Sequence, residues 1–292
     1  MSVTPDQSTS QAGPADETDA MPAPQRFRRL RAVASRSLGN SRSTVALIRG
    51  RAGRTARVYG AIDWRMPLLL SVALAAISFL ALDEAAGAYH GQWSGSVGLA
   101  AARMTDIGLG VWYVVPALLA LIVVNQIDWT RFSGRRLLGL YKWTLLPAYV
   151  LAAVGGALAV SNILKRIIGR ARPRHFEEHG AYAFDPFAVD ASWASFPSGH
   201  SSVVGAVAGV LVVLWPTSRW VVIPVSMWIA ATRVIVGAHY PSDVIVGFSF
   251  GFACAVGAAL AFARLGYLFQ RDSAGWPRIR PGFRLAQEWR KR

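Results

Sequence analysis

Residues 199–215 read GHSSVVGAVAGVLVVLW and contain no Asp, Glu, Lys or Arg. An apolar run of this length, when helical, can cross the hydrocarbon core of a bilayer, which is roughly 30 Å thick. The sequence contains six such runs, at about 66–82, 107–124, 143–163, 199–215, 220–236 and 244–264. Their interiors are almost free of ionisable side chains, as expected of helices that face lipid or one another. The sequence therefore predicts an all-α membrane protein with six transmembrane helices.

The basic residues are distributed unevenly around these runs. The net charge is +15, and 23 of the 31 Lys and Arg fall in three regions that six crossings place on one side. These regions are 26–65, with eleven arginines, 131–142, with four basic residues, and 264–292, with eight. Because positive loops stay in the cytoplasm, both termini are predicted to be cytoplasmic in a plasma (inner) membrane protein. The same distribution favours contact with anionic lipid headgroups over binding of nucleic acid.

Three regions follow from composition. Residues 1–60 are polar and basic and are predicted to form a mostly disordered cytoplasmic tail, in which 26–58 can form an amphipathic helix on the membrane surface. Residues 61–270 form the predicted six-span domain, and 271–292 a short cytoplasmic tail. No apolar core of a cleavable signal occurs in 1–20, so we expect the first span to act as an uncleaved anchor.

Three motifs lie at ends of the predicted spans. They are Lys165, six residues, then Arg172-Pro173; Pro197-Ser198-Gly199-His200; and Thr232-Arg233, five residues, His239, three residues, Asp243. With the N-terminus inside, the third and fifth spans end outside, and the fourth and sixth begin outside. The topology derived from charge therefore brings all three motifs to the outer face, although it was derived without them.

The residue types in these motifs suit a phosphate. Arg172 and Arg233 offer planar donors that match two phosphate oxygens, and Lys165 adds a point charge. The free amides that follow a helix cap at Ser198 form an anion site, which Gly199 lets a ligand approach closely. His239 and Asp243 are four residues apart, so one helical turn places them on the same face, where a carboxylate orients an attacking imidazole. Taken singly, each residue is equally explained as a helix cap or a surface charge.

The ordered series resembles the type 2 phosphatidic acid phosphatase (PAP2) superfamily, whose pattern is K-x6-RP, PSGH and SR-x5-H-x3-D. One position departs, because Thr232 stands where the family has Ser. The resemblance implies a PAP2-like helical bundle that works without metal or cofactor. It implies that His239 attacks phosphorus to form a phosphohistidine, and that His200 protonates the leaving oxygen and then activates water. Phosphate binding would fall to Lys165, Arg172, Ser198, Gly199 and Arg233, with Asp243 supporting His239, and with Pro173, Pro197 and Thr232 completing the motifs.

The resemblance implies a lipid phosphate substrate but leaves its identity open. A polyprenyl diphosphate of the undecaprenyl type is the first expectation, and phosphatidic acid, phosphatidylglycerophosphate and lipid A phosphates are alternatives. A lipid transporter would need ionisable groups at mid-membrane, which the spans lack. Haloperoxidases resemble the same motifs but are soluble. A metal held by His200, His239 and Asp243 would be repelled by the neighbouring cations. The sequence does not indicate an oligomeric state.

Overall fold

The computed structural model describes residues 23–52, 62–89 and 95–281 of the chain. In these ranges the fold is mainly helical, and a π-helical turn, Leu151–Gly155, joins two of the helices. The α-helices are α1 (Ala23–Ala52), α2 (Arg65–Ala81), α3 (Asp83–Ala88), α4 (Gly95–Thr105), α5 (Val111–Gln126), α6 (Gly134–Val150), α7 (Gly156–Ile168), α8 (Phe176–His179), α9 (Gly199–Leu214), α10 (Arg219–Ile235) and α11 (Pro241–Arg264).

Each predicted span falls on a helix or on a joined pair of helices. Three helical segments of the described chain are long and apolar enough to cross a membrane, namely Gly95–Gln126, Gly139–Ile168 and Pro241–Arg264. Two shorter apolar helices, α2 and α9, contain 17 and 16 residues, so each is about 25 Å long at 1.5 Å per residue. The helical membrane fold is thus confirmed, whereas the number of six spans stays a prediction.

Large apolar side chains on the outer helices are exposed. On α2, Leu68, Leu70 and Leu80 expose more than half of their surface, and on α10 Trp220 and Val221 do the same. Exposed apolar surface of this extent is unfavourable in water and marks a surface that contacts lipid or protein. These faces are those expected to meet the acyl chains.

Helix α9 lies at the centre of the bundle, and none of its residues is exposed. Its closest partner is α11, and glycines set the distance between the two backbones. A Cβ on Gly205 of α9 would lie 2.1 Å from the Phe248 carbonyl oxygen, and one on Gly251 of α11 would lie 1.9 Å from the Ser202 carbonyl oxygen. Such small residues let membrane helices approach closely. The close contact holds the beginnings of α9 and α11 next to each other.

The N-terminal region contains a helix in the part of the predicted tail where an amphipathic helix was expected to form. Residues Ala23–Ala52 form a helix, while 1–22 and 53–61 lie outside the described residues. The side chain of Asn40 donates hydrogen bonds to the carbonyl oxygens of Asn125 (2.9 Å) and Ile127 (2.8 Å). Because carbonyls at the end of a helix have no partner within it, Asn40 completes the end of α5. A polar side chain with this long-range role was not apparent from composition.

The C-terminal region contains the one described strand pair, which corrects the purely all-α prediction. Strands β1 (Phe269–Arg271) and β2 (Pro277–Ile279) are antiparallel, with Phe269 opposite Ile279. The Asp272 carboxylate accepts hydrogen bonds from backbone amides within the connecting turn, as aspartate often does in turns. Phe269 is buried and packs edge-on against Tyr149, with ring centroids 4.7 Å apart. The hairpin therefore closes one end of the core; residues 282–292 lie outside the described residues.

Candidate active site

The second and third motifs meet where α9 and α11 begin. The backbone amide of Ser198 donates a hydrogen bond of 3.1 Å to the carbonyl oxygen of Asp243. A Cβ on Gly247 would lie 2.5 Å from the carbonyl oxygen of Ser198, so the small residue permits this approach. The PSGH segment and the His239–Asp243 pair are therefore held together by backbone contacts as well as by side chains.

His239 is buried, and its ring is oriented from one side. Its Nδ1 atom lies 3.7 Å from Oδ2 of Asp243 and 3.5 Å from Oγ of Ser195. The same Oδ2 accepts hydrogen bonds from the Ser195 hydroxyl (2.6 Å) and the Tyr240 amide (3.0 Å). Catalytic contacts are often longer in unliganded proteins than in the reacting complex. With Nδ1 directed at the carboxylate, Nε2 is the ring nitrogen left to react.

The protonation of His239 suits a nucleophile. Burial lowers the pKa of His239 to about 4, against the opposing hydrogen bond and charge of Asp243. At neutral pH the ring is therefore uncharged. A neutral imidazole that donates Nδ1–H to a carboxylate has its lone pair on Nε2. The buried pair thus supplies the tautomer that attack on phosphorus needs.

The beginning of α9 forms the expected anion site. The Ser198 side chain caps the helix by accepting hydrogen bonds from the Ser201 amide (3.4 Å) and hydroxyl (2.9 Å). A Cβ on Gly199 would lie 3.0 Å from Nζ of Lys165. The ammonium group therefore lies next to the first turn of α9, and both features attract a negative charge.

Arg172 approaches the site from the loop after α7. Its Nε donates to the carbonyl oxygen of Ala191 (3.0 Å), and an Nη atom lies 3.4 Å from the carbonyl oxygen of Ala194. Pro173 is buried and begins a short helical turn directly after it, and Pro197, also buried, precedes Ser198. These contacts fix the position of the guanidinium group, and Arg172 is near enough to Lys165 for their charges to interact.

Arg233 lies near the end of α10, and His200 lies in the first turn of α9. One Nη of Arg233 donates to the Thr105 hydroxyl at 3.2 Å, while its buried Nε has no partner within the described structure. That donor is available to a ligand. His200 packs against Gly108, where a Cβ would lie 3.2 Å from the His200 Cβ. The charges of Lys165, Arg172 and Arg233 all act on His200, as does His239, so the two histidines and three cations lie near one another.

Thr232, the position that departs from the family pattern, directs its hydroxyl to its own helix. Its buried hydroxyl donates to the Ile229 carbonyl oxygen at 2.6 Å, one turn earlier in α10. Serine and threonine commonly bond back to their own helix in this way. The hydroxyl common to Ser and Thr therefore binds the helix backbone here and makes no contact with Arg233.

Three polar residues near the site were not singled out from the sequence. Arg170 lies within the six residues between Lys165 and Arg172, and it contacts Asp243 directly. Ser195 holds the same carboxylate, and Asp83 reaches Arg170 from the segment that follows the first predicted span. Sequence separations of 87 residues for Asp83–Arg170 and 73 for Arg170–Asp243 left no local pattern to detect them.

His175 and His179 lie between α7 and α9 and contact a glutamate. His175 and His179 each lie 3.7 Å from one carboxylate oxygen of Glu178, on a partly exposed turn. Among the described residues, no three His, Cys, Asp or Glu side chains are grouped to hold a metal ion.

Comparison with known proteins agrees with these motifs. Residues 146–267 match the PAP2 superfamily. A lipid A 1-phosphatase of Rhizobium etli is 36% identical over 219 residues, which cover 74% of this chain and 92% of the relative. An undecaprenyl-diphosphatase of Sulfolobus acidocaldarius is 31% identical over 48% of this chain and 58% of the relative. The crystal structure of a PAP2-type phosphatidylglycerolphosphate phosphatase from Bacillus subtilis is 22% identical and aligns with 65% of this chain and 90% of its own, at a TM-score of 0.45.

Proposed function

Since this chain belongs to the PAP2 superfamily and is a phosphoric ester hydrolase, we propose that it is a lipid phosphatase that acts through a phosphohistidine on His239. The observation that carries this proposal is the arrangement around the imidazole. Asp243 and Ser195 engage Nδ1, while the charges of Lys165 and Arg233 act on the ring and that of Arg172 acts on nearby His200. Nε2 is therefore available to a phosphate held by those cations.

The first half of the reaction transfers the phosphoryl group to the protein. Lys165, Arg172 and the unpartnered Nε of Arg233 bind the equatorial oxygens, where negative charge spreads in the transition state. Nε2 of His239 forms a bond to phosphorus while the bond to the lipid oxygen breaks. The negative charge of the bound phosphate favours the protonated form of His200, whose ring donates its proton to that oxygen. The lipid leaves as an alcohol or as a lipid monophosphate.

The second half regenerates the protein. His200, now neutral, accepts a proton from a water molecule that attacks phosphorus. The bond to Nε2 of His239 breaks, and inorganic phosphate is released. Asp243 stabilises the positive charge that the His239 ring carries while it is phosphorylated, as in other carboxylate–histidine pairs.

The trapping of a phosphoenzyme tests this mechanism. Full-length protein in detergent is mixed with substrate labelled in the terminal phosphate, quenched and analysed for a label that is stable to base and released by acid. We expect such a label in the wild type and none in His239→Ala. In His200→Ala, a diphosphate substrate should form the label, because its leaving group needs little protonation, and the label should then persist. Equal labelling of His239→Ala and the wild type would overturn the assignment.

For the substrate, we propose the glycosidic 1-phosphate of lipid A first. The support is the extent of similarity, since the lipid A 1-phosphatase relative is matched over 92% of its length. A polyprenyl diphosphate is the second candidate, because the undecaprenyl-diphosphatase relative is matched over 58% of its length. Purified protein should be assayed with both lipids, phosphatidic acid and phosphatidylglycerophosphate at equal mole fraction in detergent. A higher kcat/KM for undecaprenyl diphosphate than for lipid A would reverse the order.

The proposed location is the outer leaflet of the plasma (inner) membrane, with six spans and both termini in the cytoplasm. The positive charges of 26–65, 131–142 and 264–292 support this orientation. It places the beginnings of α9 and α11 at the outer lipid–water boundary, where a lipid headgroup can reach the cations without leaving the membrane.

A further inference from the structure

A buried chain of charges continues behind the His239–Asp243 pair. Arg170 has no exposed surface, and one of its Nη atoms donates to Oδ1 of Asp243 at 2.6 Å. The other Nη donates to Oδ2 of Asp83 at 2.8 Å, and Asp83 is equally buried. Asp83 begins α3, directly after the first predicted span. The contacts therefore run from His239 through Asp243 and Arg170 to a carboxylate on a different part of the chain.

The chain of contacts is fully hydrogen-bonded. The remaining donors of Arg170 bind the carbonyl oxygen of Ala181 and the hydroxyl of Ser242. Asp83 also accepts from both the amide and the hydroxyl of Ser242, the residue before Asp243. Since an unpaired buried charge is costly, such complete pairing holds each group in one orientation. The relay, defined here as Asp83, Arg170, Ser242 and Asp243, is therefore rigid.

Aromatic rings fix the plane of the guanidinium group. The Arg170 Cζ atom lies 4.2 Å from the ring centroid of Tyr240 and 5.0 Å from that of Phe79. Tyr240 is the neighbour of His239 in the chain, and its amide donates to Asp243. A planar cation packed against aromatic rings is a geometry that lysine does not reproduce. The Arg170 side chain is thus suited to orient the Asp243 carboxylate as well as to offset its charge.

The net charge of the relay is opposite in sign to the charge that His239 acquires during the reaction. Two carboxylates and one guanidinium leave the relay with one net negative charge. When Nε2 bonds to phosphorus, the imidazole ring passes from neutral to positive. A buried negative charge stabilises that change, because little water is present to screen it. Without Asp83, Arg170 would neutralise Asp243 completely, and this stabilisation would be lost.

We propose that Asp83 and Arg170 are positioning residues for the nucleophile: they orient Asp243 and keep the relay negative while His239 becomes phosphorylated. The proposal rests on the phosphohistidine mechanism above. It gives the beginning of α3 a part in catalysis, exerted through Asp243. Substrate affinity is set by Lys165, Arg172 and Arg233. Variants of the relay should therefore slow phosphorylation, while their KM should be equal to or lower than that of the wild type.

Asp83→Asn is the central variant, because it removes the charge and keeps the shape. Glu84→Gln is the matched control, since Glu84 is the next residue of α3, loses the same charge and is exposed. Rapid-quench labelling of full-length protein gives the rate and the amplitude of phosphoenzyme formation, and steady-state assays give kcat and KM. We expect Asp83→Asn to slow phosphorylation by about 10- to 100-fold, the range known for groups that orient a metal-ligating histidine through a hydrogen bond. The amplitude should be retained, and Glu84→Gln should match the wild type.

Ser242→Ala provides a second variant if Asp83→Asn does not fold. It removes the hydroxyl that links Asp83 to Arg170. We expect phosphorylation to keep its full amplitude and to slow by a smaller factor than in Asp83→Asn. A wild-type phosphorylation rate in the folded Asp83 or Ser242 variant would overturn the relay. A loss of amplitude in proportion to unfolded protein, at an unchanged rate, would also overturn it by showing a structural role only. Absence of any acid-labile label in the wild type would instead refute the proposed function itself.

Discussion

The contact between α9 and α11 can be tested with a single methyl group. In Gly251→Ala the new Cβ would lie 1.9 Å from the Ser202 carbonyl oxygen, whereas ordinary contact begins at 3.4 Å. The opposing atom belongs to the backbone, so it cannot move aside as a flexible side chain can. The two helices must therefore separate locally by about 1.5 Å to reach ordinary contact. Overpacking of this kind costs about 1–3 kcal/mol of stability.

The separation should also reach the active site. Gly251 lies eight residues after Asp243, a distance of about 12 Å along a helix. Both helices are stiff, so a displacement at Gly251 changes the position of Asp243 and His239 relative to Ser198. A misplacement of about 1 Å at a catalytic group can reduce the rate by about 100-fold. We expect kcat to fall by about 10- to 100-fold in Gly251→Ala.

Gly257→Ala is the matched control. Gly257 lies on the same helix, and a Cβ there meets nothing within 4 Å. Alanine is favoured over glycine inside a helix by about 0.5–1 kcal/mol, and both variants gain this contribution. Thermal unfolding in detergent and phosphate release should show a less stable and slower Gly251→Ala, whereas Gly257→Ala should be as active as the wild type and slightly more stable. If the two variants were equally stable and equally active, α9 and α11 would not be in the close contact described.

Three further predictions concern the site and its orientation. Thr232→Ser and Thr232→Val should both keep kcat/KM within a few-fold of the wild type, because the hydroxyl binds only the Ile229 carbonyl; a large loss in the Val variant alone would show a polar role in catalysis. Activity should survive EDTA and be inhibited by vanadate, which suits a phosphate cradle of cations; recovery by Mg²⁺ after loss on chelation would contradict the proposed chemistry. The topology can be tested in a protein in which Cys254 is replaced by Ala. Val189→Cys, at a position that is 89% exposed, should react with an impermeant thiol reagent in spheroplasts. A cysteine added after Arg292 should react only after lysis. The reverse labelling pattern would invert the proposed topology.

The motif residues could be brought together from the sequence because membrane helices impose a simple rule. Each span reverses the direction of the chain, so residues at alternate span ends share a face. The structure brings Lys165, Arg172, His200, Arg233 and His239 close enough for their charges to interact. The sequence alone supplied the identities of these residues and their common side. It did not supply the direction of the His239 ring, which depends on Ser195 and on Tyr240.

The relay lay beyond the reach of sequence patterns. Asp83 follows an apolar run and looks like an ordinary charge at a membrane boundary. Only the packing of α2 against α11 brings it to Ser242, 159 residues later in the chain. The glycines of α9 and α11 were likewise visible as composition, but their role depends on the facing backbone. In α1, the basic composition favoured disorder, whereas the fixed partners of Asn40 belong to α5.

The burial of α9 has a consequence for how the protein responds to its surroundings. Since none of its residues is exposed, the helix that carries His200 is insulated from lipid by its protein neighbours. A thicker or thinner bilayer acts first on α2 and α10, whose large apolar side chains are exposed, and these helices can tilt to adjust. Such a change reaches His200 only through contacts between helices. Adaptation to membranes of different thickness can therefore proceed by substitution on the outer helices, while the chemistry at the centre is left unaltered.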